Sequence, residues 1–300
     1  MTDSTRDDAK RSRLRERIKR TIVSQFDAAL AGGAPQVRYI RELGLPDDRI
    51  FTPYDVVDND FFARGAAAVR SDPGGCRHLP GLASGSPFFL ASGRFIERKN
   101  FGNLIKAYGA YRSLDHDGAP WELVILGDGP ERSHLAALAD AIAPGSGITF
   151  PGYRQINEIT AYYGLAGAFV HPAKVEPWGL VVNEAMAAGL PVLVSRSAGA
   201  AEDLVSDGVN GFRFDPGDPV AIAIAMLRVS ASDADREEMG RQSVARIALW
   251  TPERFAEGLW RAVAAGTMAA RRGLPHSVRI LLWASQLTPR SVLAWRSVEP

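Results

Sequence analysis

The sequence predicts an α/β fold in which a Rossmann-like parallel sheet carries helices on both faces. From residue 88 onward, short apolar segments such as "FFLAS" and "LVIL" alternate with amphipathic helical patterns. Strands that are apolar along their whole length are typical of parallel sheets buried on both sides. Ligands of such sheets bind beyond the carboxyl ends of the strands. We therefore expect a site on the loops "GRFIERK", "GDG", "GYR", "HPAKVEPWG" and "SAGAAE".

The composition restricts the functional classes. The chain has 300 residues, 46% of them hydrophobic and 23% charged, with a net charge of +1. This is a globular composition with room for one or two domains, and it predicts no general affinity for nucleic acid. The single cysteine, Cys76, excludes an internal disulfide and a cysteine metal cluster. Together with the lack of a long apolar run, this favours a cytoplasmic protein.

The first 70 residues are predicted to form a basic N-terminal arm and the end of a preceding domain. Residues 1–20 contain eight Lys or Arg against four Asp or Glu. Two interpretations of this arm stay open: a solvated helix, or a basic surface that contacts the inner face of a membrane. Residues 22–57 have a strand, helix, strand pattern that is too short for a domain. Asp58, Asn59 and Asp60 precede a helix, which favours capping over metal binding.

Three further boundaries follow from composition. Residues 71–87 are rich in Gly, Pro and Ser and are predicted to be a linker. Residues 88–265 form the predicted Rossmann-like domain, and residues 266–300 a C-terminal helical tail. The tail combines tryptophans with arginines, so it either packs on the domain or lies on a membrane surface.

The segment "VEPWGLVVNEAMAAGLPVLVS" carries the most specific signal. Glu176 and Glu184 are eight residues apart, around a predicted helix N-terminus. Pro177 favours a first helical turn directly after Glu176, and Gly189 favours the end of this helix. Free backbone amides at a helix N-terminus bind anions. The two carboxylates can accept hydrogen bonds from hydroxyl groups, so the segment suits a sugar nucleotide.

Two cations and a tight turn join this segment on the predicted rim. Arg94 and Lys99 follow the first strand of the second half, where they would neutralise a diphosphate leaving group. Gly127, in "GDGP", allows a ligand to approach the backbone closely. This turn lacks the third glycine of a dinucleotide-binding fingerprint and gives little support to NAD binding.

These motifs, in this order and spacing, resemble the donor-binding half of the retaining glycosyltransferases of family 4, which have the two-domain GT-B architecture. The resemblance runs from about residue 22 to about residue 261 and is most specific at the E-x7-E motif. It implies that Glu176 contacts the donor sugar near the reacting carbon and that Glu184 binds the ribose hydroxyls. It also implies that Arg94 and Lys99 hold the diphosphate.

The resemblance implies further contacts and the reaction itself. The amides of Gly179, Leu180 and Val181 would complete the diphosphate cradle, and Tyr153 and Arg154 would lie by the base. The family needs no metal or other cofactor and retains the anomeric configuration by front-face attack. The implied partners are a UDP- or GDP-sugar donor and a glycan or lipid-linked acceptor.

The chain departs from the family pattern in two respects. Ala173, Lys174 and Val175 stand where the family commonly has Ser or Thr and a small residue, so Lys174 adds a cation near the sugar. Only a remnant of the acceptor-binding domain is recognisable, which leaves open a fragment, a misplaced start, or a split enzyme whose other half is a partner chain. A nucleotide-sugar binding or regulatory module is the alternative function. An epimerase or a phosphorylase would leave the E-x7-E spacing unexplained.

Overall fold

The main sheet is parallel and six-stranded, with the order β5-β4-β3-β6-β7-β8. The computed structural model of the chain describes residues 1–8, 11–114, 119–142, 144 and 147–269. The strands of this sheet are β3 (Phe88–Ser92), β4 (Glu122–Leu126), β5 (Ile148–Gly152), β6 (Ala168–His171), β7 (Val192–Ser195) and β8 (Gly211–Phe214). Each coincides with an apolar segment of the sequence, so the predicted α/β class with a parallel sheet is confirmed.

Helices cover both faces of this sheet. Consecutive residues of each strand point to opposite sides, so an apolar strand contributes side chains to an apolar core on each face. On β3, Phe88 and Leu90 belong to one apolar core, whereas Phe89 and Ala91 belong to the other. The first core is closed by α3 (Asn59–Ser71), α6 (Ile156–Leu165), α7 (Leu180–Ala187) and α8 (Ala200–Leu204). The second core is closed by α4 (Phe101–Arg112), α5 (Arg132–Ile142) and α9 (Pro219–Ser230).

The N-terminal part builds a small second sheet. The predicted strand, helix, strand pattern is present as β1 (Ala29–Leu30), α2 (Ala34–Glu42) and β2 (Ile50–Phe51), with β1 and β2 parallel. The basic arm contains helix α1 (Arg13–Val23), which packs beside α2. Helix α11 (Pro252–Met268) returns to this sheet, where the Arg261 guanidinium lies 5.2 Å from the Phe51 ring.

The segment around the predicted linker is held against the main sheet. Asp58 caps α3 by accepting a hydrogen bond from the Phe61 amide, as the sequence predicts. Helix α3 packs along α6 and α7, and Leu82 of the following segment is buried in the first core. The boundaries at residues 70, 87 and 265 stay predictions, but α3 packs with the layer of the second half.

One helix was not predicted from the sequence. Helix α10 (Asp233–Ile247) carries mainly charged side chains and buries only Met239, Gly240, Ser243 and Ile247, so its apolar periodicity is weak. The predicted C-terminal tail is represented by the end of α11. The rest of it, residues 270–300, lies outside the described residues.

Candidate functional site

The candidate site lies where the strand order of the main sheet reverses direction. From β3 the chain proceeds to β4 and β5 on one side, and then to β6, β7 and β8 on the other side. The loops that follow β3 and β6 therefore diverge and leave a crevice at the carboxyl ends of these strands, which is where open α/β sheets bind ligands. Arg94 and Lys99 belong to the first loop and Glu176 to the second, so the three predicted catalytic residues are on the loops that border this crevice.

Lys99 and Glu176 form an ion pair across the crevice. The Lys99 Nζ contacts Glu176 Oε2, and the two side chains are 16% and 11% exposed. His171, at the end of β6, brings its Nε2 to 3.5 Å from the same carboxylate oxygen. This cluster joins residues that are 77 positions apart in the chain. The sequence placed Lys99 and Glu176 on one rim but did not predict that they touch.

Burial and charge set the ionisation of this cluster. Burial opposes ionisation of Glu176, but the neighbouring His171 and Lys99 outweigh it and lower the pKa of the carboxyl below its usual range. Burial also lowers the pKa of His171, to which the Lys99 charge contributes, against the attraction of Glu176. At neutral pH the cluster therefore holds an ionised Glu176, a neutral His171 and the Lys99 ammonium as its positive charge.

The backbone after Glu176 is held by neighbouring loops in an extended form. The Gly199 amide donates to the Glu176 carbonyl at 3.0 Å, and the Ala200 amide donates to the Trp178 carbonyl at 3.1 Å. Because these bonds form a short parallel bridge, the helix cannot start at Pro177. The predicted first turn after Glu176 is therefore wrong, and α7 begins at Leu180.

Gly179 makes the transition from this loop into α7. Its φ of 104° and ψ of 66° lie in the left-handed region that favours glycine. A Cβ at this position would lie 3.2 Å from His171 Nε2 and 3.3 Å from Glu176 Cγ. The amides of Gly179, Leu180 and Val181 open the helix, where amides have no acceptor inside the helix itself. Amides in this position, beside the Lys99–Glu176 pair, can bind an anion.

Glu184 lies on α7, within its second turn, and is held by a tyrosine. The Tyr163 hydroxyl donates a hydrogen bond of 2.7 Å to Glu184 Oε2. Burial raises the pKa of Glu184, and this hydrogen bond opposes the shift. Burial, with the nearby Glu184 charge, raises the pKa of Tyr163 well above its ordinary value, so the phenol stays a donor. One carboxylate oxygen is thus anchored and the carboxylate orientation is fixed.

The loops after β3 and β4 touch each other. Gly127 has a φ of 129°, and a Cβ there would lie 1.9 Å from the Gly93 carbonyl oxygen. The Phe95 amide donates to the Asp128 carbonyl at 2.8 Å. Gly127 was predicted to let a ligand approach the backbone, but the structure requires a glycine there because the Gly93 carbonyl lies so close. Arg94 lies exposed in the same loop, on the side of the crevice.

Tyr153 and Arg154 lie farther along the same rim. They follow β5, the edge strand, which is two strands from β3 and therefore about 10 Å away. Tyr153 is 70% exposed, whereas Arg154 places its Nη1 3.4 Å from Glu158 Oε1. Lys174 is half-exposed and pairs with Glu97 at 3.6 Å, which keeps this additional cation between the loops after β3 and β6.

Sequence reasoning missed three residues at or near the site. His171 begins the segment "HPAKVEPWG", which was predicted to lie on the rim, but no role was predicted for this residue. Gln36 is fully buried and donates from Nε2 to the Pro177 carbonyl at 2.6 Å. Asp55 is 9% exposed, and no described residue donates a hydrogen bond to its Oδ2. Burial, with Asp3 and Glu176 nearby, raises the pKa of Asp55 to about 7. No local pattern marks Gln36 or Asp55.

Within the described ranges, no group of three or more His, Cys, Asp or Glu side chains is arranged to hold a metal ion. In the same part of the chain, no helix has the length and apolar character that crossing a membrane requires.

Two curated glycosyl-transferring proteins match a little over half of the chain. The chain is 31% identical over 157 residues to the lipopolysaccharide core biosynthesis glycosyltransferase LpsE of Rhizobium meliloti, which covers 52% of this chain and 43% of LpsE. It is 30% identical to the sucrose-phosphate synthase of Zea mays over 179 residues, which covers 55% of this chain and 17% of the synthase. The matches thus span less than half the length of these two relatives.

Solved structures confirm the GT-B type of fold. HepE of Anabaena, in complex with UDP and glucose, superposes with a TM-score of 0.68 at 18% identity, covering 85% of this chain and 68% of HepE. Sucrose-phosphate synthase from Thermosynechococcus elongatus superposes with a TM-score of 0.66 at 23% identity, covering 94% of this chain and 65% of the synthase. The family model described as glycosyl transferases group 1 matches residues 78–246. Since that match includes every strand of the main sheet, the chain belongs to the glycosyl transferases group 1 family.

Proposed function

We propose that this chain binds a nucleotide-sugar donor and transfers its sugar to a glycan or a lipid-linked saccharide, with retention of the anomeric configuration. The observation that carries the proposal is the contact between Lys99 and Glu176 beside the N-terminus of α7, at the point where the sheet order reverses. A cation, an anion site and a hydroxyl-binding carboxylate within one crevice match the diphosphate and the sugar of such a donor.

The diphosphate is assigned to Lys99, Arg94 and the first amides of α7. When the glycosidic bond to the donor breaks, negative charge develops on the departing phosphate oxygens. Preorganised cations and amides stabilise such charge, each donor by about 3 kcal/mol in comparable oxyanion sites. Lys99 is already desolvated and is held by Glu176, so little reorganisation is needed for it to face a phosphate. These groups supply the positive charge without a metal ion.

The sugar and the nucleoside are assigned to the two glutamates and to the loop after β5. Glu176 is ionised at neutral pH and faces the sugar near the reacting carbon. Glu184, anchored through one oxygen by Tyr163, keeps the other oxygen for the ribose hydroxyls. The exposed Tyr153 ring is available to stack on the base. We assign UDP-sugars first, because HepE was crystallised with UDP and with UDP-glucose, and GDP-sugars second.

Retention follows from the side on which the acceptor attacks. In the proposed step the acceptor hydroxyl approaches the same face that the diphosphate leaves. A phosphate oxygen takes the proton of that hydroxyl as the new glycosidic bond forms. Within the proposed step, Glu176 acts by orienting the sugar and by stabilising the positive charge that develops at the anomeric carbon.

Calorimetric titration of the full chain with UDP and GDP tests the assignment. We expect Glu184→Ala and Lys99→Ala each to weaken diphosphate binding, the latter by about a hundredfold. Glu176→Ala should mainly reduce the additional affinity of the complete UDP-sugar. Arg241→Ala, an exposed position on α10, is the matched control and should bind as the wild type does. Unchanged UDP and GDP affinity in a folded Lys99→Ala chain would refute the diphosphate assignment.

The anomeric configuration of a transferred sugar, read by NMR, tests the reaction itself. An α-linked UDP-sugar should yield an α-linked product, and a β-linked product would contradict retention. Donor binding without sugar transfer to any glycan or lipid-linked acceptor would assign a nucleotide-sugar binding module instead.

A further inference from the structure

Helix α1 carries a row of arginines that the proposed reaction does not use. Arg13, Arg17 and Arg20 follow each other at spacings of four and three residues, which places them on one side of the helix. All three are exposed. With Arg6 and Arg11 they line a groove of about 750 Å³, in which two glutamates are the only acidic residues. We call these five arginines the arginine groove.

Helix α1 is attached to α2 by side chains that lie next to the arginine row. Lys19 Nζ donates to the Tyr39 hydroxyl at 3.0 Å, and this hydroxyl contacts Glu16 Oε2 at the same distance. Arg11 Nη1 also donates to the Tyr39 hydroxyl, at 2.8 Å. Arg20 adds a hydrogen bond of 2.9 Å to the Glu42 carbonyl of α2. Of the three arginines in the row, Arg13 and Arg17 are therefore the two that this attachment does not use.

Part of the positive charge in the groove is not compensated within the described chain. Arg6 pairs with Glu42 at 2.7 Å, and Arg11 pairs with Asp8 at 2.5 Å. No described acidic side chain lies within 4.0 Å of the Arg13 or Arg17 guanidinium. Guanidinium groups bind phosphate through two parallel hydrogen bonds, so this groove has the chemistry of a phosphate-binding surface.

Exposed apolar side chains lie on the same helix and in the turn after it. Leu14 is 67% exposed and Ile22 is 38% exposed, both on α1, and Phe26 in the turn after this helix is 57% exposed. A free phosphate or a nucleic acid backbone would not use these side chains. A bilayer uses both kinds of group, because cations meet the anionic headgroups while neighbouring apolar side chains enter the acyl boundary.

We propose that the arginine groove, with Leu14, Ile22 and Phe26, docks this protein on a bilayer that contains anionic phospholipids. The lipid phosphates lie against Arg13 and Arg17, and the three apolar side chains enter the interface. This inference does not depend on the assignment of the crevice to a nucleotide sugar, so each proposal is tested independently of the other.

Sedimentation with vesicles tests the proposal. The full chain should bind vesicles of phosphatidylcholine mixed with phosphatidylglycerol, and bind pure phosphatidylcholine only weakly. The double variant Arg13→Gln/Arg17→Gln should bind the anionic vesicles about 30-fold more weakly, since each cation near such a surface contributes about 1 kcal/mol. The matched control Arg64→Gln/Lys106→Gln removes two exposed charges on α3 and α4 and should bind normally. Equal losses in both variants would overturn the proposal.

A second variant separates a bilayer from other phosphate sources. Leu14→Ser/Phe26→Ser should weaken vesicle binding by about tenfold or more, and this loss should persist when salt at about 1 M screens the charges. Inorganic phosphate or a single-stranded oligonucleotide should bind weakly, without any effect of this variant. If either of them binds through Arg13 and Arg17 while vesicles do not bind, the groove takes a different ligand and the proposal is wrong.

Discussion

Replacing Lys99 by methionine is the most informative perturbation of the crevice. The substitution keeps an unbranched apolar side chain but leaves the Glu176 carboxylate, which is 11% exposed, without the ammonium. Removing one partner of a fully buried ion pair costs about 3–5 kcal/mol. Because Lys99 keeps 16% exposure and His171 stays beside the carboxylate, we expect a loss of about 2–3 kcal/mol in the free energy of unfolding at pH 8.

The pH dependence of this loss identifies its cause. In the variant, His171 no longer faces the Lys99 charge, which contributes to lowering its pKa, so Glu176 can raise that pKa. Burial still lowers the pKa of His171, and a histidine whose folded-state pKa lies below its unfolded value costs stability as the pH falls through that unfolded value. This cost becomes smaller when the folded-state pKa moves up. The destabilisation by Lys99→Met should therefore be smaller at pH 6 than at pH 8. Glu176 stays ionised throughout this range, because its pKa is lowered.

Urea unfolding of a double-mutant cycle measures the interaction. Glu176→Gln alone should cost about 1 kcal/mol, because the flexible Lys99 side chain can turn its ammonium toward water. The double variant Lys99→Met/Glu176→Gln should be more stable than Lys99→Met, with a coupling energy of about 2 kcal/mol. Additive effects of the two substitutions, or wild-type stability of Lys99→Met at pH 8, would refute the buried ion pair as a source of stability.

Three further predictions use other parts of the structure. The folded-state pKa of Asp55 is raised to about 7, so ionisation of Asp55 should lower wild-type stability as the pH rises from 5 to 8. In urea titrations, Asp55→Asn should remove about 2 kcal/mol of that fall. Parallel pH profiles of the wild type and the variant would contradict this prediction. Tyr163→Phe removes the hydrogen bond to Glu184, so UDP affinity measured by calorimetry should drop about fivefold, and an unchanged affinity would argue against an anchoring role. Gly127→Ala forces a Cβ against a backbone oxygen and should lower the unfolding free energy by at least about 3 kcal/mol. Gly208→Ala, with open space around the new Cβ, should lower it by about 1 kcal/mol. Similar losses in the two variants would refute the steric argument.

The main sheet could be predicted from the sequence because its information is local. Most of its six strands are short apolar segments, and the helices that cover it carry apolar residues at helical spacing, apart from α10. Helix α10 could not be predicted in this way, because a helix that lies at the margin of both cores needs few apolar residues. The start of α7 was also misjudged, because three hydrogen bonds from distant residues outweigh the local preference of Pro177.

The candidate site was predictable only as far as the rim of the sheet. The rule that ligands bind beyond strand ends placed Lys99, Glu176 and the α7 N-terminus on one edge. It could not state that the strands before the two loops are neighbours, since that depends on the strand order. The ion pair, and with it the ionisation of Glu176, follows from that order and from burial.

The position of Glu176 depends on residues far upstream in the N-terminal part of the chain. Gln36 of α2 holds the Pro177 carbonyl, and Asn183 of α7 donates to the Asp55 carbonyl at 3.1 Å. The Ala34 amide, at the start of α2, donates to Asp203 Oδ2 at 2.8 Å. Each of these contacts crosses the predicted boundary between residues 1–70 and 88–265. The N-terminal residues therefore act as part of the site's support. The loop after β6 owes its extended form both to the Gly199 and Ala200 amides after β7 and to Gln36 of α2.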